Sequence, residues 1–199
     1  EDKAASLAAA GAAVAGLAAR GADLVLLPEM FNHRWTDEAN RDQAEPVPGP
    51  SSDWAAAQAR LHGINLHLGS LIETRATEAG TTRFNTSLLF DRDGREIARY
   101  EKIHLFDVEL PEGICYCESG VVSSGDRMVT AEVEGVTFGL TICYDLRFPE
   151  LYRALALRGA DVLLVPAAFT TPTGISHWEP LLRSRAIENG CYVAACGQW

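Results

Sequence analysis

The chain has 199 residues, 47% hydrophobic and 22% charged, with a formal charge of -10 at pH 7 and a pI near 4.9. This is the balance of a globular protein with a core, organised as a single domain over 1–199, and it argues against nucleic acid or an anionic membrane as the main partner, because no basic field is present to attract phosphates. No apolar run approaches the about 18 to 20 residues that cross a bilayer, and the N-terminus reads as neither a secretion signal nor a transit segment, so a cytoplasmic location is expected.

The first element is a helix. Asp2 to Ala19 is alanine-rich with Leu7, Val14 and Leu17 at helical spacing, and Gly21 can supply a left-handed stop. Asp23 to Leu27 predicts a strand. After the Pro- and Asp-rich stretch 36–50, Ser51 or Ser52 can cap a helix that runs to Leu61, and "INLHLGSLI" then reads as one further strand. Phe84 to Phe90, the turn "DRDG" and Glu96 to Tyr100 predict a hairpin. "VTAEVEGVTFGLTICYD" predicts a second one, turning at Glu134-Gly135. A helix over Pro149 to Leu157, a strand over Asp161 to Val165, a helix from about Ser176 to Glu188 and a strand over Cys191 to Ala195 follow.

Two stretches repeat each other. "RGADLVLLPEMF", Arg20 to Phe31, returns as "RGADVLLVPAAF", Arg158 to Phe169, with Arg, Gly, Ala, Asp, Leu, Pro and Phe in register, and each copy follows an Ala/Leu-rich helix. An internally repeated helix–strand unit brings the two strand ends together about a pseudo-twofold axis. Ala167 stands where Glu29 stands in the first copy, so the shared strand exit does not itself require a carboxylate there.

Cys143 ends an apolar β run just before a charged turn and a helix opened by Pro149. A thiol at such a turn is placed to act as a nucleophile, with the backbone N–H of Tyr144 beside it for an oxyanion. Lys102 lies just beyond the strand ending at Tyr100. A buried ammonium needs carboxylates, and Glu29 and Glu118 can supply them. The five cysteines, Cys115, Cys117, Cys143, Cys191 and Cys196, are an odd number in a chain too long to need a disulfide scaffold. Cys115 and Cys117 with Cys191 and Cys196 imitate a zinc site but lack Cys-x2-Cys spacing, so no metal is expected there.

The segments "LPEMF", "YEKIHLFDVELP", "ESGVVSSGD" and "GLTICYDLRFPELYRALALRGADVLLVPAAF" closely resemble the nitrilase superfamily of carbon-nitrogen hydrolases. Together with "TTPTGISHWEPLLRSRAIENGCYVAA" they resemble most the branch holding omega-amidase and deaminated glutathione amidase. The resemblance runs from about Ala18 to Trp199. It implies an α-β-β-α four-layer sandwich, a Glu-Lys-Cys triad at Glu29, Lys102 and Cys143, and the additional active-site glutamate at Glu118. It also implies that no metal or organic cofactor is needed, that the protein forms a homodimer or larger homo-oligomer, and that it cleaves the terminal amide of a small carboxylate-bearing molecule. Family members usually begin with a strand before the first helix and continue past Trp199, so the chain reads as truncated at both ends, which leaves sheet edges exposed. Cys115-Tyr116-Cys117 departs from the larger or charged residues expected before the loop glutamate.

An anionic substrate needs a cation. Arg147 is the candidate, against an ion pair with Glu150; Arg183 and Arg185 diverge on one helix, so at most one can face the site. Tyr116, Phe169, His177 and Trp178 are candidates to shape the pocket, each weighed against simple core packing. The rival functions are nitrile or N-carbamoyl hydrolysis with the same triad, a non-catalytic scaffold of the same fold, and a redox role for Cys115 and Cys117.

Overall fold

The computed structural model describes residues 2–33, 42–78, 80–109, 113 and 115–198. The part of the Pro- and Asp-rich stretch before residue 42 lies outside them. Helix α1 (Lys3–Ala18) is capped by the Asp2 side chain and leads through Gly21, at φ +83°, into strand β1 (Leu24–Leu26). Helix α2 (Pro50–His62) follows. Its first residue is Pro50 and its cap is Gly49. Ser52 sits inside the first turn and accepts a hydrogen bond from the Gly49 N–H at 2.8 Å, so neither Ser51 nor Ser52 is the cap.

The stretch read as one strand is two, β2 (Asn65–His67) and β3 (Leu71–Thr77). Both pair antiparallel with the long strand β4 (Gly80–Phe90), whose other edge holds β5 (Glu96–Glu101), while β2 also pairs parallel with β1. The break falls at Gly69, where φ is +78° and a Cβ would lie 2.1 Å from the Pro28 carbonyl oxygen. Only glycine lets this bend approach the exit of β1 so closely.

A short hairpin, β6 (Asp107–Glu109) with β7 (Cys115–Cys117), replaces the loop expected there. Strands β8 (Thr130–Val133) and β9 (Val136–Leu140) turn as expected at Glu134 and Gly135, both at positive φ, as a two-residue hairpin demands. Helix α3 (Pro149–Leu157) leads to β10 (Val162–Ala167), then helix α4 (Thr171–Asn189) to β11 (Tyr192–Gly197). The start of α4 is five residues earlier than the spacing suggests, because Thr170 occupies the cap and a proline is accommodated in the first turn. The second sheet has the order β11-β10-β9-β8.

Three apolar clusters divide four layers. Val14, Ala55 and Ala59 from α1 and α2 pack on Val25, Leu66, Leu88 and Phe90. Leu89, Ala98 and Tyr100 face Phe138, Leu140 and Leu164 across the gap between the sheets. Leu163 and Val165 turn the other way, onto Leu151, Tyr152 and Leu155 of α3. Consecutive residues thus enter different cores, as at Leu88/Leu89 and Leu163/Leu164, which is the period of a strand buried on both faces. This is the α-β-β-α sandwich. The two repeated units are equivalent within it: β1 runs parallel to β2 through α2, and β10 runs parallel to β11 through α4. In each, the shared phenylalanine packs on a tryptophan of the following helix, Phe31 on Trp54 and Phe169 on Trp178. Among the described residues no helix is long and apolar enough to cross a membrane.

Candidate active site

Three chain segments leave the sheets at one place. β1 exits through Pro28 into Glu29, and the next residue, Met30, takes φ +48° while its N–H donates to Ser70 Oγ at 3.1 Å. Lys102 follows β5 directly; its N–H donates to the Asn85 carbonyl at 2.9 Å and its own carbonyl accepts from Gly125 N at 2.8 Å, so its backbone is fixed on both sides. Beyond β9 the chain reaches Cys143, also at φ +48°, which opens a 3-10 turn through Arg147. A side chain at positive φ costs on the order of 1–2 kcal/mol. Asp145 holds the strained turn in place: it is fully buried and accepts from Ile142 N at 2.8 Å, Tyr100 Oη at 2.8 Å, His104 N at 3.0 Å and His104 Nδ1 at 2.8 Å. The cysteine turn and the segment carrying Lys102 are therefore tied together through one carboxylate.

The side chains meet in the interior. Glu29, Lys102 and Glu118 are 1%, 2% and 5% exposed, and Cys143 is 8%. Lys102 Nζ donates to Glu29 Oε1 at 3.0 Å and to Glu118 Oε2 at 2.8 Å. Asn85 Nδ2 donates to the same two acids, to Glu29 Oε1 at 2.9 Å and Glu118 Oε1 at 3.0 Å. Glu118 Oε2 also accepts from Phe106 N at 2.7 Å, and Glu29 Oε2 from Ala168 N at 2.8 Å. The Cys143 thiol belongs to the same cluster, where the Glu29 carboxylate, Lys102 and the Ala168 N–H all act on it. Ala168 follows β10, so the exit of the second repeat supplies a donor to the acid at the exit of the first.

Burial alone would push the Lys102 ammonium down, but the charges of Glu29 and Glu118 outweigh it and hold the group well above its usual range. Burial pushes the Cys143 thiol up, the Glu29 charge adds to this, and Lys102 offsets it only in part. The resting site is therefore a protonated thiol beside an ammonium held between two acids. A thiol in that state reacts only if a base takes its proton as it attacks.

A cleft open to solvent is lined by Glu29, Lys102, Phe106, Cys143, Arg147 and Phe169, with Tyr144, Ala168, Thr170 and Thr173 completing it. Of the residues expected to touch substrate, Arg147 and Phe169 line the cleft. Tyr116, His177 and Trp178 do not: Tyr116 packs on Phe106 with ring centroids 5.1 Å apart, Trp178 packs behind Phe169 at 5.0 Å, and His177 Nδ1 accepts from both terminal nitrogens of Arg147 at 3.2 Å. All three sit one layer back, supporting the residues that do face it. Arg147 also lies over the Tyr144 and Phe169 rings, and among the described residues no carboxylate is within ion-pair distance of its guanidinium. The ion pair with Glu150 is not formed. Arg183 and Arg185 diverge as expected, yet neither faces the cleft: Arg183 pairs with Glu179 on the surface, and Arg185 is buried against the Leu146 carbonyl.

Asn85, Asp145 and Gln198 escaped the sequence reading. Asn85 lies within an unbroken polar triplet, Asn85-Thr86-Ser87, that is wholly buried in β4, and such a triplet set between Phe84 and Leu88-Leu89-Phe90 was the available signal. Gln198 Nε2 donates to the carbonyls of Glu29 at 2.6 Å and Met30 at 3.2 Å, closing the loop around the acid from the end of β11. The paired cysteines are apart, Cys115 and Cys117 on exposed β7 and Cys191 and Cys196 at β11 in another sheet.

A four-layer sandwich that gathers a glutamate, a lysine and a cysteine at its strand exits defines a class of hydrolases, and the chain belongs to it: residues 1–199 match the carbon-nitrogen hydrolase family. The chain is 44% identical over 181 residues to the deaminated glutathione amidase of Synechocystis sp. (strain PCC 6803 / GT-S), covering 90% of this chain and 66% of that protein. It is 41% identical over 177 residues to the omega-amidase NIT2 of Homo sapiens, covering 89% of this chain and 63% of that protein. Saccharomyces cerevisiae Nit3, a member of branch 10 of the nitrilase superfamily, superposes with a TM-score of 0.87 at 33% identity over 99% of this chain and 70% of its own. The chain thus spans just under two thirds of the length of these two amidases.

Proposed function

We propose that the protein hydrolyses the terminal amide of a small carboxylate-bearing molecule to the acid and ammonia through a thioester on Cys143. The observation that carries this reading is the buried cluster of Glu29, Lys102, Glu118 and Cys143 at the floor of a cleft whose wall presents Arg147, with no acidic partner among the described residues. The two amidases above, acting as their names state, support the choice of an amide.

Glu29 takes the thiol proton as sulfur attacks the amide carbon. Its Oε1 accepts from both Lys102 and Asn85, whereas Oε2 accepts only from Ala168 N among the described residues, which leaves a lone pair on Oε2 for this transfer. An ammonium has three N–H bonds; two on Lys102 go to the acids and the third serves the oxyanion, together with the backbone N–H of Tyr144. The oxyanion collapses, the C–N bond breaks, and Glu29 returns the proton to the departing ammonia. Water, deprotonated by Glu29, then attacks the thioester, and the thiol leaves with the proton. The sum is amide plus water to carboxylic acid plus ammonia, and no step calls for a metal.

The test is intact-protein and peptide mass spectrometry after incubation with small dicarboxylic monoamides, alongside ammonia release. The expected result is an acyl adduct on Cys143 that Cys143→Ala lacks and that accumulates in Glu29→Gln if formed at all. Turnover of nitriles or N-carbamoyl acids in place of amides would move the substrate class. Turnover retained in Cys143→Ala would remove the sulfur from the reaction.

A further inference from the structure

The two acids of the site are linked by more than the lysine. Asn85 is fully buried on β4, and its one amide nitrogen donates both of its hydrogens, one to each acid, at 2.9 and 3.0 Å. Its orientation is not arbitrary. With the amide reversed, the carbonyl oxygen would face two carboxylate oxygens at these distances, and in the observed orientation that oxygen is buried without a hydrogen-bond partner among the described residues. The side chain accepts an unfavourable environment at one end to present two donors at the other. The same residue receives the backbone N–H of Lys102, so it touches every charged member of the network.

The charges explain why this matters. Two carboxylates and one ammonium share a dry space, and the thiol beside them is neutral. Two carboxylates this close repel each other, and the donors they share hold them side by side. If the two part, Glu29 Oε2 turns away from Cys143. From this geometry we infer that Asn85 is a positioning residue for the hydrolysis, bridging Glu29 and Glu118 so that Glu29 Oε2 remains turned to the thiol. The inference rests on Glu29 being the base. The titratable and charged groups that face this point are Glu29, Glu118, Lys102 and Cys143, with Arg147 across the cleft.

The experiment does not require the natural substrate. Alkylation of Cys143 by iodoacetamide is followed by peptide-resolved mass spectrometry between about pH 5 and about pH 9 for the unaltered protein, Asn85→Ala, Asn85→Ser and Glu29→Gln, with a thermal melt of each. In Asn85→Ala the rise of Cys143 reactivity is expected about one pH unit higher, so that labelling on the acid side is about tenfold slower, while the alkaline rate is kept. Asn85→Ser, whose hydroxyl can donate to only one acid, is expected between the two, and it carries the comparison by itself if the alanine variant does not fold. A profile that stays at the same pH in the Asn85 variants, whatever happens to their melting temperature, reduces Asn85 to a packing residue and overturns the inference, provided Glu29→Gln does change the profile. If Glu29→Gln leaves it unchanged, the base assignment itself falls, and the role of Asn85 falls with it.

Discussion

At the scale of single residues, the proposed function makes Arg147 the group that selects carboxylate-bearing amides. Its guanidinium is braced by His177 Nδ1 and by two aromatic faces, so it can stay in the cleft wall with no carboxylate partner among the described residues. A charge-assisted contact of this kind contributes about 1.5–3 kcal/mol. Arg147→Ala is therefore expected to raise KM for carboxylate-bearing amides by about 10- to 100-fold with little change in kcat, and to leave small neutral amides unaffected; an equal loss on both substrate types would assign the arginine to packing. Glu29 could be read from the sequence because the repeat offered an internal control, the same strand exit with Ala167 in its place. Lys102 could not be read alone, since a lysine at a strand end is ordinarily solvated; it became interpretable only as part of a motif shared with a known family. Asn85 and Asp145 were hidden for a different reason. Their roles are set by contacts across 56 and 45 residues of chain, and neither periodicity nor local spacing carries such information.

At the scale of elements, two devices aim the reactive groups, and each can be broken separately. Asp145 satisfies four donors, from the cysteine turn, from Tyr100 in β5 and from His104 just after it. Asp145→Ala leaves them buried without an acceptor and is expected to cost at least about 3 kcal/mol of stability, together with the loss of Cys143 reactivity; denaturant unfolding measures the first and alkylation the second. Gly69 is the bend where one expected strand became two. A methyl group there meets the carbonyl oxygens of Pro28 at 2.1 Å and Leu27 at 2.5 Å, on the residues just before Glu29. Gly69→Ala is expected to destabilise by more than about 2 kcal/mol and to displace the acid. A variant of unchanged stability and turnover would show that the β1 exit tolerates the shift. The sequence announced β4, β5, β8, β9 and β10 because alternation and turn chemistry are local. It missed β6, β7 and the break at Gly69, where pairing partners and close backbone approach set the conformation.

At the scale of the whole molecule, buried polar groups set the response to acid. His67 is fully buried in β2; its Nδ1 accepts from Gly69 N at 3.2 Å, so Nε2 carries the proton that Ser87 Oγ receives at 2.6 Å. Burial lowers its pKa from 6.5 to about 3. Between those values the unfolded chain binds a proton that the folded chain refuses, so the contribution of this group to stability is complete above pH 6.5 and is lost as the pH falls toward 3. The full span corresponds to an upper bound of about 4–5 kcal/mol. His67→Gln is expected to flatten the fall in urea midpoint between about pH 6.5 and pH 4; an identical slope in both proteins would place the acid sensitivity in other groups.

The meeting of the two repeats has one more consequence. The backbone donor on Ala168 and the carboxylate it contacts on Glu29 are 139 residues apart, and the Gln198 clamp on the same acid spans 169. Contacts of such long range are completed late in folding. Until they form, neither contact holds Glu29 in its place beside the thiol. The reactivity of Cys143 is thus a readout of assembly, and a pulse of electrophile during refolding would date the moment the halves close.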